Sequence, residues 1–201
     1  GRVTLGVGLG ALHGNWLAFE ADEGRAVRAR KLDEVLDVYA GLMGGQPFSY
    51  TGEYFSASPV TELVPPPPVQ TPHPPVWCVG LMVPGRSRQR SLERAARWQG
   101  VFPAIAGGSL ENPGSQLTPP ALRELVERLG ALRAEAGQTM QGYDVVVEGD
   151  SHGEFGTVHP PVEQWADAGA TWWVESWWDL PDSPEGRAEL RRRLELGPPR
   201  T

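Results

Sequence analysis

The chain has 201 residues, enough for one good-sized domain with a real core, of which 40% are hydrophobic and 21% charged. Its net charge of −7, with no basic block, argues against a nucleic-acid surface. The single cysteine, Cys78, excludes a disulfide framework; with no apolar run long enough to span a membrane and no signal peptide, a cytoplasmic setting without membrane partners is expected.

Val3–Gly8 (VTLGVG) reads as a buried strand from its apolar, β-branched run. Gly6-x-Gly8-x-x-Ala11 matches a dinucleotide fingerprint, but His13-Gly14-Asn15 continues a loop where a helix should open, so that reading is rejected. The glycines then mark a strand that admits close backbone approach, which a flat cofactor also needs. Glu23–Met43 is an amphipathic helix, with Leu32, Val35, Leu36, Tyr39 and Met43 on one face and Gly44-Gly45 as its stop. Phe48–Tyr50 and Tyr54-Phe55 flank Thr51-Gly52 as a small hairpin. Pro65–Pro68 and Pro72–Pro75 form a stiff extended crossover into the strand Val76–Gly80. Cys78 lies in that apolar strand and reads as buried filler.

A loop, Leu81–Arg88, then a helix over Gln89–Trp98 and a strand over Val101–Ile105 complete a βαβ unit. Thr118, followed by Pro119, caps a helix whose apolar face is Leu122, Leu125, Val126, Leu129 and Leu132. A strand at Tyr143–Glu148, a helix at Val162–Ala168, a strand at Thr171–Glu175 and a helix at Glu185–Leu196, capped by Ser183-Pro184, follow. Strand and helix thus alternate through five units, and the strands are apolar throughout, which means a parallel sheet with crossover helices. An open doubly wound sheet and a (β/α)8 barrel both fit, and a whole barrel would need three more units.

Several segments together resemble the bacterial luciferase-like, flavin-dependent monooxygenases: GRVTLGVGLG (1–10), the run 28–55, PPPVQTPHPPVWCVG (66–80), ERAARWQGVFP (93–103), YDVVVEG (143–149) and DAGATWWVESW (167–177). The resemblance implies an α/β fold of the (β/α)8 TIM-barrel family, present here as a partial barrel with strands four to eight. It implies one domain over residues 1–201, with the first three strands lying before Gly1. It also implies a flavin- or F420-dependent oxidoreductase acting on a small organic substrate. The cofactor is reduced FMN used with oxygen, or coenzyme F420 used for hydride transfer. A flavin reductase is a partner in the FMN case, and the full-length protein is expected to be a homodimer. A non-catalytic paralogue that has lost cofactor binding is the alternative.

Ligands of parallel barrels bind at the C-terminal ends of the strands, which here are five loops. The loop after Gly80 offers backbone N–H groups, a helix start and arginines, the set a flavin phosphate wants. Arg86 or Arg88 touches the phosphate, or these with Arg90 are solvated charges. The commoner family pattern has Gly-Gly after this strand, where the chain has Gly80 followed by Leu81-Met82. Gly8 and Leu9 resemble the loop that packs along the flavin, with Leu9 standing where luciferases carry an arginine. The cofactor-binding candidates are Gly8, Leu9, Gly80, Leu81, Met82, Arg86, Gly100, Val101 and Phe102. The substrate candidates are His13, Trp16, Glu175 and Trp177. His13 is either substrate-facing or a structural loop histidine. Glu175 either reaches the ring or a bound water, or pairs with an inward arginine. Trp172 and Trp173 point to opposite faces of their strand and are read as packing residues, whereas Trp177, Trp178 and His152 lie past strand ends on the pocket side. No residues have metal-ligand spacing, and no nucleophile-elbow motif occurs.

Overall fold

The computed structural model describes residues 1–10, 18–60, 62, 66–107, 117–151, 160–177 and 179–198. Seven strands and five helices occur among them: β1 (Leu5–Val7), α1 (Gly24–Gly44), β2 (Tyr50–Thr51), β3 (Ser56–Ala57), β4 (Val76–Met82), α2 (Arg90–Arg97), β5 (Gly100–Ile105), α3 (Pro119–Glu135), β6 (Asp144–Gly149), α4 (Val162–Asp167), β7 (Trp172–Glu175) and α5 (Pro184–Leu196). The main sheet has the order β1-β4-β5-β6-β7, and β2-β3 is a separate hairpin. The recorded pairings β1–β4, β5–β6 and β6–β7 are parallel. Five βα units in this arrangement make a partial (β/α)8 barrel, the barrel alternative of the two left open by the alternation of strands and helices.

The chain divides into two compact units, Gly1–Val79 and Gly80–Thr201, so the boundary falls inside β4. In the first unit, β1 pairs with the start of β4 in the register Leu5↔Val76, Gly6↔Trp77 and Val7↔Cys78. Cys78 is fully buried, as its apolar surroundings predict. The Glu34 carboxylate of α1 accepts hydrogen bonds from the amides of Glu53 (2.7 Å), Tyr54 (3.0 Å) and Phe55 (2.9 Å), tying the hairpin to the helix. Along α1, Leu36 is the one fully buried residue and Val35 is 45% exposed, so the helix buries a narrower face than its periodicity suggests.

In the second unit, the helix side of the sheet is closely packed at Gly80. A Cβ placed on Gly80 would lie 2.6 Å from Val101 Cγ2 and 2.9 Å from Leu92 Cδ2, so only glycine lets α2 approach β4 this closely. Leu92, Ala95, Val101, Leu122, Leu125 and Leu129 are all fully buried around this contact. Thr118 and Ser183 cap α3 and α5, accepting from the amides of Ala121 (3.3 Å) and Gly186 (3.1 Å).

Of the boundaries that differ from the sequence expectation, two bear on the candidate site. β4 runs on to Met82, so Leu81 and Met82 are strand residues and the loop starts at Val83. Met82 is buried and its carbonyl accepts from Ala106 N at 2.8 Å, which continues the pairing with β5. β5 begins one residue earlier, at Gly100. Among the described residues, no helix is long and apolar enough to cross a membrane.

Gly80→Ala should destabilise the chain by about 1–3 kcal/mol through overpacking against Val101 and Leu92. Urea unfolding of the two proteins checks this through the shift of the midpoint.

Candidate functional site

β4 leads into a tight turn at Val83-Pro84-Gly85-Arg86. Pro at the second position and Gly85 at the third, with φ of 73°, make a type II turn closed by Arg86 N donating to Val83 O at 3.2 Å. Gln89, 5% exposed, locks it from beneath. Its Oε1 accepts from Val83 N at 2.9 Å, and its Nε2 donates to Val83 O at 2.7 Å and Arg86 O at 2.9 Å. Ser91 Oγ accepts from Leu81 N at 3.1 Å and donates to Leu81 O at 2.9 Å, fastening the strand end to α2.

The turn borders a concavity of about 300 Å³ whose lining includes Val83, Gly85, Arg86, Ser87, Glu124 and Arg128. Arg128, from α3, donates to Ser87 O through Nη2, while its buried Nε has no hydrogen-bond partner. Arg86 is exposed and forms no ion pair among the described residues. Arg88 lies 3.5 Å from Glu93, a pair open to solvent. The amides of Gly85, Ser87 and Arg88 likewise have no partner among the described residues. Two guanidinium groups and unspent amides therefore surround this turn, with the Glu124 carboxylate as the one opposing charge among its lining residues.

The predicted residues are distributed unequally about this loop. Gly80 and Met82 point to the helix side and are buried, whereas Leu81 is half-buried on the other face. Gly100 and Val101 sit at the N-terminal start of β5, the end opposite the loop, with Val101 fully buried. Phe102 is half-buried one position further along β5. Gly8 and Leu9 lie in the first unit, where Leu9 O accepts from Arg28 Nη1 at 2.9 Å. His13, Trp16, His152 and Trp178 lie outside the described residues.

Glu175 and Trp177 meet at the ends of β6 and β7. Glu175 Oε1 accepts from Ser151 N, Ser151 Oγ and Trp177 Nε1, each at 3.0 Å. Its Oε2 accepts from Trp173 Nε1 at 2.9 Å and from Arg193 Nη2 at 3.2 Å. Arg193, on α5 and 6% exposed, also reaches Ser151 Oγ at 3.3 Å and Gly197 O. Of the two readings of Glu175, the structure thus displays the pair with an inward arginine. Burial pushes the Glu175 carboxyl upward, but the hydrogen bonds from Trp173, Arg193 and Ser151 outweigh it and hold the group below the ordinary range. Trp173 shares this helix-facing side, while Trp172 stands on the other face, half-exposed, with Nε1 donating to Asp144 Oδ1 at 2.9 Å. Trp172, read from its place in the strand as a packing residue, is thus half-exposed rather than part of the core. Among the described residues, no group of His, Cys, Asp or Glu is placed to hold a metal ion.

No family model matches the chain. Its fold is similar to that of monooxygenase RslO1 from Streptomyces bottropensis, at 21% identity and a TM-score of 0.53, over 75% of this chain and 40% of that one. An F420-dependent secondary alcohol dehydrogenase, solved with an F420-acetone adduct, gives 16% identity and a TM-score of 0.56 over 98% of this chain and 62% of that one. DmoA from Hyphomicrobium sulfonivorans gives 17% identity and a TM-score of 0.50 over 84% and 38%. The chain thus spans between 38% and 62% of the length of these structures. The likeness establishes the fold, five units of a (β/α)8 barrel.

Arg128, Gln89, Ser151 and Arg193 were not singled out in the sequence. Arg128 flanks the apolar stripe of α3 next to Leu125 and Leu129, and that flanking position was the one available signal.

Replacing Arg193 by Met leaves the Glu175 carboxylate short of its cation and should cost roughly 2–3 kcal/mol, somewhat under the range for a fully buried pair because Glu175 keeps some exposure. Because folding lowers the Glu175 pKa, the carboxylate adds stability above its ordinary value of 4.5 and loses it as pH falls through the folded value. The stability gap between wild type and Glu175→Gln should therefore be larger at pH 7 than at about pH 3, as urea unfolding at the two pH values would measure.

Proposed function

We propose that the chain is the cofactor-binding part of a flavin- or deazaflavin-dependent oxidoreductase that acts on a small organic substrate, with reduced FMN and oxygen or with F420. The observation that carries this reading is the β4–α2 turn. Arg86 and Arg128 stand on one concavity beside the unspent amides of Gly85, Ser87 and Arg88, at the C-terminal end of a parallel strand. Anionic groups bind at such places, where guanidinium and amide donors converge.

A phosphate fits these donors. Arg128 lines the concavity, and an anion at this turn meets its guanidinium. Arg86 supplies a second, solvent-facing guanidinium, and the Gln89 hydrogen bonds keep the turn in one shape before a ligand arrives. The bound cofactor supplies the redox chemistry. The chain's own residues grip its anionic end, and Trp177, whose indole is held by Glu175, offers an aromatic surface at the end of β7. The three structures of similar fold include a monooxygenase and an F420-dependent dehydrogenase, and they support this class of reaction without selecting between its two cofactors.

The alternative, a non-catalytic paralogue, rested partly on Leu81-Met82 in place of a Gly-Gly pair. Both residues belong to β4, and the turn beyond them carries its own glycine, Gly85.

Titrating FMN and F420 into the chain should give saturable binding of one of them. Arg86→Ala and Arg128→Ala should each weaken it by about tenfold or more, as loss of a charge-assisted hydrogen bond does. Unchanged affinity in the double variant, or no binding of either cofactor by the wild-type chain, would refute the reading.

A further inference from the structure

The register of β5, β6 and β7 sorts their side chains onto two faces. Val101 pairs with Val145, and Val147 and Gly149 pair with Trp173 and Glu175. This set faces the helices, as the contact of Gly80 with Val101 and Leu92 and the bond from Arg193 to Glu175 show. The other face is turned away from them. Alternation places Phe102 and Ala104 of β5, Val146 and Glu148 of β6, and Trp172 and Val174 of β7 on it. The hydrogen bond from Trp172 to Asp144, another residue of this face, agrees with the assignment.

Glu148 is out of keeping with its neighbours. It lies one residue before the end of β6 and is paired with Val174; extending the β5–β6 register sets Ala104 on its other side. No Lys, Arg or His occupies this face of the three strands. Glu148 makes no hydrogen bond or ion pair among the described residues. Its side chain is exposed, and its apolar neighbours take up enough of its hydration to push its carboxyl above the ordinary range. The other titratable groups along this face are Asp144, bonded to Trp172, and Asp150, buried just beyond the strand. Near the C-terminal end of a barrel strand, Glu148 is placed to meet a ligand.

We propose that Glu148 is the proton-exchanging group of this face, acting on the hydroxyl or carbonyl oxygen of a neutral substrate seated over β5–β7. The inference rests on the oxidoreductase reading above. As a carbonyl is reduced, Glu148, carrying the proton it takes up when covered, breaks its own O–H bond and gives that proton to the carbonyl oxygen. A reduced cofactor of the flavin class would supply the hydride to the same carbon. In the reverse direction, alcohol oxidation, the proton of the hydroxyl returns to Glu148. Glu175, one strand over, is excluded from this role because its two oxygens already accept five hydrogen bonds and its side chain is on the helix face.

A ligand covering this face removes more water from Glu148 and so drives proton uptake on binding. Calorimetric titration of FMN and of F420 into the chain near pH 6, in two buffers of different ionisation enthalpy, reads that uptake directly. Wild type should take up more protons on binding, net of those the phosphate releases on meeting its arginines, than Glu148→Gln, and Glu148→Asp, which keeps a carboxylate, should retain part of that difference. Equal proton exchange in wild type and Glu148→Gln overturns the inference while leaving the cofactor reading intact. If Glu148→Gln does not fold, equal uptake in wild type and Glu148→Asp, with no change in its pH dependence, overturns it too. Failure of wild type to bind either cofactor overturns the cofactor reading and this inference with it.

Discussion

The parallel ladder of the second unit depends on one close approach. Gly80 has no side chain, so α2 settles against β4 with Leu92 and Ala95 beside Val101. Any larger residue would push the helix outward and open a gap under a core whose other members are fully buried. With that layer closed, the register of β5 against β6 and of β6 against β7 has no freedom to slip. A shift of one residue would carry Val145 and Val147 out of the packed layer.

Fixing the register separates two carboxylates that lie close together at the strand ends. Glu175 falls on the helix side, where Arg193, two indoles and Ser151 meet its charge. Glu148 falls on the opposite side, between apolar neighbours and without a partner among the described residues. Hydrogen bonding draws the first group's proton affinity down and loss of hydration drives the second's up. Pairs of titratable groups whose surroundings push them in opposite directions divide structural from chemical work. Here the divided tasks are clamping the ends of β6 and β7 and exchanging a proton.

The alternation of strands and helices was legible because its two periods are distinct, and the capping residues Thr118 and Ser183 mark helix starts in sequence as they do in space. The site was legible in part. The loop after the fourth strand, with Gly85 and Arg86 in it, was read from the sequence; its type II turn at Pro84-Gly85 was not, although Pro followed by Gly favours that turn. Gln89 and Arg128 were not legible, because a buried glutamine that braces a turn and a helix arginine that reaches a neighbouring loop look like surface residues in a linear reading. The end of β4 was misplaced for a related reason. Leu81-Met82 reads as a departure from a loop pattern until the bond from Ala106 to Met82 shows that the strand continues.

By itself the sequence determined the alternation of strands and helices, the order of the units and the place of the loop after β4, because hydrophobic period and turn chemistry act over a few neighbouring residues; that alternation fitted an open sheet and a barrel alike. It also placed Glu175 at a strand end but left its role divided between ligand and ion pair. Only the tertiary structure decided the division. A strand residue's face depends on its register with partners far away in the chain, and the partner of Glu175, Arg193, arrives from the last helix, 18 residues on. The same register brought out Glu148, which in the linear reading is no more than the polar end of an apolar strand.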